Sequence, residues 1–165
     1  MEAYITILGR STWAVINALH ASLEQHDDLH PSIIFIITED IFKDKIDKVK
    51  KGVGIVLDHY GIDASIETRT VTSGAFVAAG REISAIVKEL KQNGHRITVD
   101  ITPGRKSLVA GTLLALARFN LDVDRLLYLD ISTIKDVNYP YEMLPRHVHE
   151  LKDFMAEMRE VERNA

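Results

Sequence analysis

The chain has 165 residues, 46% of them hydrophobic and 27% charged, with a formal net charge of −4 and no cysteine. That length and composition suit one soluble globular domain able to bury a real core. They exclude disulfide and thiolate chemistry and argue against a general nucleic-acid coat, which needs a broad basic face; a phosphate ligand would need a local positive focus.

Residues 3–8 (AYITIL) read as a first buried strand. The opening Met1-Glu2-Ala3-Tyr4-Ile5 runs straight into it without a basic leader, and the longest uncharged apolar stretch, 108–117, is too short to span a bilayer. A cytoplasmic protein with no membrane contact is the expectation. Gly9-Arg10-Ser11-Thr12 follows, then a helix over 13–24 with Val15, Ile16, Leu19 and Leu23 as its apolar stripe. Ser11 or Thr12 suits the N-cap, at a loop with free N–H groups and a cation. The loop is no dinucleotide fingerprint, since Ser11 stands where G-x-G-x-x-G wants a glycine.

After Pro31, residues 32–37 (SIIFII) predict a second strand buried on both faces. Thr38-Glu39-Asp40 is read as the cap of a long helix over 41–60, whose Lys-rich middle is a solvated face and whose Gly52 and Gly54 weaken or kink it. A third strand spans 64–71. Thr72-Ser73-Gly74 caps a helix reaching Gln92, with Phe76, Ile83, Ile86, Val87 and Leu90 on its buried side.

The segment 96–118 carries most of the functional signal. Ile97, Val99 and Ile101 form a short buried strand, which Thr102-Pro103-Gly104 stops. From Lys106 a helix runs with Leu108, Val109, Leu113 and Leu116 at helical spacing, while Ala110, Gly111, Ala115 and Ala117 keep one face thin enough to lie close on a sheet. Arg105, Lys106 and Ser107 occupy its first turn, where unpaired N–H groups and the positive dipole end favour an anion. This is not a Walker A loop, because Asp100 and Arg105 stand where that motif needs glycines. A fifth strand (124–130), an irregular stretch (131–145) and an amphipathic helix (146–161) complete the pattern.

Strands alternating with helices imply a parallel sheet with right-handed crossovers, helices on both faces, and a ligand crevice beyond the carboxyl ends of the strands. With strand order 3-2-1-4-5, the 9–12 and 102–107 loops face each other across one crevice. The whole chain, 1–165, is read as a single Rossmann-like α/β domain, with 132–165 as a C-terminal extension and helix.

Other constellations yield little. His147 and His149 sit two apart on the expected final helix, and His26 and His30 flank a loop; neither pair has a third convergent ligand, so neither a metal nor a cofactor is expected. No Ser/His/Asp triad can be placed. Glu39, Asp100 and Asp130 read equally as caps or acids, and the Tyr139–Tyr141 pair as a base-stacking platform or as core filling.

The run Asp100-Ile101-Thr102-Pro103-Gly104-Arg105-Lys106-Ser107 resembles the motif after the fourth strand of CARF domains, the CRISPR-associated Rossmann-fold sensors of cyclic oligoadenylates in type III systems. Gly9-Arg10-Ser11-Thr12 is similar to that family's other ligand loop. The resemblance implies a homodimer whose twofold axis passes through a ring of adenylates, often four, and assigns Gly9, Arg10, Ser11, Thr12, Thr102, Pro103, Gly104, Arg105, Lys106 and Ser107 to ligand contact. About 35 residues follow the fifth strand, without the Arg-x4–6-His pair of a HEPN ribonuclease or room for a winged helix. Three readings stay open. One is a metal-independent ring nuclease with Ser11 and Lys106 as catalytic residues, turning over slowly for want of a base. The others are a non-catalytic sensor whose effector is absent, and an unrelated Rossmann-like nucleotide binder.

Overall fold

The computed structural model describes residues 1–132 and 138–164. The first strand, β1 (Glu2–Leu8), lies at the centre of a six-stranded sheet because it is buried along its whole length and can accept a neighbour on either side. Its partners are β2 (Pro31–Glu39) and β4 (Arg96–Asp100), both parallel to it, with Tyr4 opposite Ile34 and Thr98. β3 (Ser65–Val71) is the edge strand beyond β2, and β5 (Arg125–Ile131) follows β4. The order is β3-β2-β1-β4-β5 with a sixth strand, β6 (His149–Asp153), beyond β5, which confirms the expected core order and extends it.

Side chains alternate across β1, and each set finds its own helix layer. Ala3, Ile5 and Ile7 join Ile97 and Val99 beneath α3 (Phe76–Gln92) and α4 (Lys106–Arg118), through Ile83, Val87, Leu108 and Leu116. Tyr4 and Leu8 join Ile34 and Ile36 beneath α1 (Thr12–Gln25) and α2 (Ile46–Tyr60), through Val15, Leu19, Val49 and Val53. The result is the expected three-layer sandwich.

Four local expectations change. The segment 146–161 is not one helix: a 3₁₀ turn (Arg146–Val148) leads into β6 (His149–Asp153), antiparallel to β5, and then α5 (Phe154–Arg163). The apolar spacing there imitates a helix, yet Leu151 packs on the α1/α2 side of the sheet while Phe154 and Met155 pack on the α3/α4 side. Pairing with β6 satisfies the outer edge of β5, and the Asp153 carboxylate accepts from Met155 N and Ala156 N to start the short helix.

The long helix over 41–60 is a 3₁₀ segment (Asp40–Lys45) followed by α2, and Thr38 and Glu39 belong to β2 rather than to a cap. Gly52 serves packing: a β-carbon there would fall 2.4 Å from Ile16 Cδ1, so the glycine lets α1 and α2 close on each other. The third change concerns α3, which starts at Phe76 without a side-chain cap and leaves Phe76 exposed instead of on its buried side. Lastly, the thin face of α4 meets α3 rather than the sheet, since a β-carbon on Gly80 would lie 2.4 Å from the Gly111 carbonyl oxygen.

The expected irregular stretch contains residues 133–137, which lie outside the described residues, and a 3₁₀ turn, Tyr141–Met143. No described helix is long and apolar enough to cross a membrane.

Candidate functional site

β1 and β4 are adjacent and parallel, so the chain segments that leave their carboxyl ends emerge side by side. A β-carbon on Gly9 would sit 2.3 Å from the Pro103 carbonyl oxygen. The two loops are therefore in backbone contact at Gly9 and Pro103. Gly104 is equally confined: a β-carbon there would meet Val109 Cγ2 at 2.6 Å and Ile7 Cγ2 at 3.3 Å. Glycines at both positions allow the loops to lie flat against each other and against the sheet.

A buried polar column beneath the loops holds them in place. The Asp100 carboxylate accepts from Thr6 Oγ1 at 2.7 Å and from Thr102 N at 2.9 Å, while Leu129 N donates to Thr102 Oγ1 at 2.8 Å. Complete burial pushes the Asp100 carboxyl up to about 6, and the hydrogen bonds from Thr102 and Thr6 oppose that rise. Thr102 thus spends its hydroxyl on the scaffold, and Pro103 is buried.

The groups above this floor differ in freedom. Ser11 Oγ accepts from Ala14 N at 3.2 Å, the N-cap role weighed for it from sequence. The Arg10 carbonyl accepts from Lys45 Nζ, and the Arg10 side chain is exposed. Arg105 is pinned: its Nη1 lies 3.2 and 3.3 Å from the two Glu39 oxygens and 3.5 Å from Ser73 Oγ. Glu39 Oε1 also accepts from Gly74 N, so one buried carboxylate ties together the ends of β2, β3 and β4. Lys106 and Ser107 are exposed at the first turn of α4, whose N-cap residue Arg105 is extended and provides no side-chain cap. Their N–H groups and the Lys106 ammonium are available to an anion.

Sequence reasoning located these loops but missed Glu39 and Ser73 as positioning residues; Glu39 lies 66 residues from Arg105 along the chain. The tyrosine pair divides. Tyr141 is buried, with its hydroxyl donating to Glu24 Oε2 at 2.7 Å, and Tyr139 is exposed. His147 and His149 fall on a 3₁₀ turn and on β6, so they do not share a helix.

Along α3 and α4, Phe76, Val77, Leu114 and Phe119 expose an apolar strip edged by Arg81 and Arg118.

No family model matches the sequence, and a comparison with curated proteins found no relative. Solved structures do match. Enterococcus italicus Csm6 bound to cyclic hexa-2'-fluoro-hexa-dAMP aligns with 99% of this chain at TM-score 0.62 and 14% identity. Can2 from Sulfobacillus thermosulfidooxidans in complex with cyclic tetra-adenylate aligns with 78% at TM-score 0.55 and 9% identity. A type III CRISPR defence DNA nuclease activated by cyclic oligoadenylate aligns with 79% at TM-score 0.56 and 15% identity. The chain spans 44%, 32% and 19% of these three proteins, respectively. In fold, the chain is similar to part of each of these proteins, two of them solved with a cyclic oligonucleotide bound and the third activated by cyclic oligoadenylate.

Proposed function

We propose that this chain binds a cyclic oligoadenylate, most simply cyclic tetra-adenylate, across the twofold axis of a homodimer. The observation that carries the reading is the backbone contact of the 9–12 and 102–107 loops at adjacent strand ends, in a fold shared with proteins solved with such rings. Ser11, Thr12, Arg105, Lys106 and Ser107 then supply hydroxyls and cations to ribose and phosphate, and the N-terminus of α4 adds its N–H groups. The −4 net charge poses no conflict, because a crevice concentrates potential locally.

One copy offers an open shelf with Lys106 and Ser107 exposed, and a second copy completes it. The apolar strip of Phe76, Val77, Leu114 and Phe119 runs across α3 and α4, the helix that starts at this shelf, so burying it against its own symmetry mate brings two shelves together. The test is calorimetric titration with cyclic tri-, tetra- and hexa-adenylate, combined with light scattering. One ring per two chains supports the reading; stabilisation by mononucleotides and none by rings overturns it in favour of an unrelated nucleotide binder.

Slow ring cleavage is the second reading, favoured by an exposed Lys106 that follows Arg105, whose backbone approaches Gly9 of the loop that carries Ser11. The ribose 2'-hydroxyl attacks its own neighbouring phosphorus and the P–O5' bond breaks. The proton leaves the 2'-oxygen, the 5'-oxygen departs as a hydroxyl, and a 2',3'-cyclic phosphate remains. Lys106 stabilises the charge building on the phosphorane, and Ser11 orients the ribose. Incubation of labelled cyclic tetra-adenylate in EDTA gives linear di-adenylate with a cyclic phosphate end if this holds. Unchanged ring with intact binding removes the enzyme and leaves the sensor.

A further inference from the structure

A second constellation lies away from the crevice. α1 presents His20, α2 presents His59, and the 3₁₀ turn Tyr141–Met143 presents Glu142; one ligand atom from each lies within 4.8 Å of the other two. Two imidazoles and a carboxylate from separate elements are the donor set of a borderline transition ion, with room for a fourth ligand. In a four-coordinate zinc site the donors stand about 3.4 Å apart. The three atoms therefore need to close by little more than a side-chain rotation. His59 and Glu142 are exposed and free to make it.

The surroundings hold the third donor steady. His20 is half-buried between the Tyr60 ring, at 5.5 Å edge-on, and the Tyr141 ring, at 5.0 Å. Tyr141 is anchored by its hydroxyl to Glu24, and Asn17 Nδ2 donates to the Tyr139 carbonyl at 2.7 Å. Both ties bind the segment that carries Glu142 to α1. Lys48 and Lys51 line the same groove. They lie two or three turns up α2 from His59, roughly 12 Å or more along the axis, too far to repel an ion strongly in water.

We propose that His20, His59 and Glu142 bind one zinc-type divalent ion, leaving the fourth position to water and clamping the 138–144 segment onto α1 and α2. The site is separate from the oligoadenylate reading and does not rest on it.

The test uses the full chain, stripped with EDTA, exchanged into chelator-free buffer and titrated with zinc chloride in the absence of any nucleotide. One saturable site per chain, no comparable binding of magnesium and a raised melting temperature with zinc are expected. His59→Ala and Glu142→Gln alter exposed side chains, so both keep the wild-type circular dichroism. Each is expected to weaken zinc binding at least about tenfold and to lose the thermal shift. Absence of saturable binding, or wild-type affinity in both variants, overturns the proposal. Either result leaves ring binding at the crevice where it stands.

Discussion

Gly9 and Pro103 touch through their backbones: the missing β-carbon of Gly9 would stand 2.3 Å from the Pro103 carbonyl oxygen. Two loops more than ninety residues apart in the chain are thereby locked into one surface. Gly9→Ala forces them apart, at a cost of about 1–3 kcal/mol in stability from overpacking. Ring affinity falls about tenfold or more, because the donors on the two loops no longer match one ligand. Urea denaturation and calorimetry on the same preparation check both. A variant that binds as wild type shows that the contact is only structural.

Glu39 sets the direction of Arg105. Its buried carboxylate receives Arg105 Nη1 and Gly74 N, so Glu39→Gln keeps an acceptor for the amide but removes the charge that orients the guanidinium. The expected loss is about 1–3 kcal/mol of stability. If Arg105 contacts phosphate from this fixed position, ring affinity falls in Glu39→Gln nearly as far as in Arg105→Ala. A large effect in Arg105→Ala with none in Glu39→Gln marks an arginine that rearranges to meet the ligand.

Lys106→Ala separates binding from cleavage. Lys106 is exposed, so the fold tolerates the change. Loss of a charge-assisted phosphate contact costs about 1.5–3 kcal/mol, or roughly tenfold or more in affinity. Cleavage abolished with only that modest loss identifies an enzyme, whereas equal loss of both identifies a binding module. Affinity also declines with added salt, and less steeply in the variant.

The parallel core was readable because buried strands carry unbroken apolar runs, such as 33–37 in β2, and each was followed by a helical stripe. The meeting of the two loops was readable from topology: strand order alone makes the ends of β1 and β4 neighbours. What escaped depends on contacts remote in sequence. Arg105 looked like a free ligand cation until Glu39 was brought beside it. The Val148, Leu151, Met155 and Met158 spacing fitted a helix, and only the unpaired edge of β5 turns His149–Asp153 into a strand. Likewise His20, His59 and Glu142 come from three elements, and no local spacing joins them.

Asp100 offers a prediction in pH. Its carboxyl is pushed up to about 6 from the ordinary 3.8, so between about pH 4 and 6 the folded chain holds a proton that the unfolded chain has released. By linkage this group's contribution falls as pH rises through that window, costing the fold on the order of 2–3 kcal/mol by pH 7. Asp100→Asn stays neutral throughout. Its carbonyl still accepts from Thr102 N, and its amide faces Thr6 Oγ1, which can turn to accept. The stability difference, variant minus wild type, therefore rises by about that amount between pH 4 and pH 7, with other titrating groups cancelling in the subtraction. Urea unfolding of both proteins across the range measures it. A difference that stays flat with pH means that Asp100 is ionised in the fold at an ordinary pKa and that the column beneath the crevice is better solvated than its burial implies.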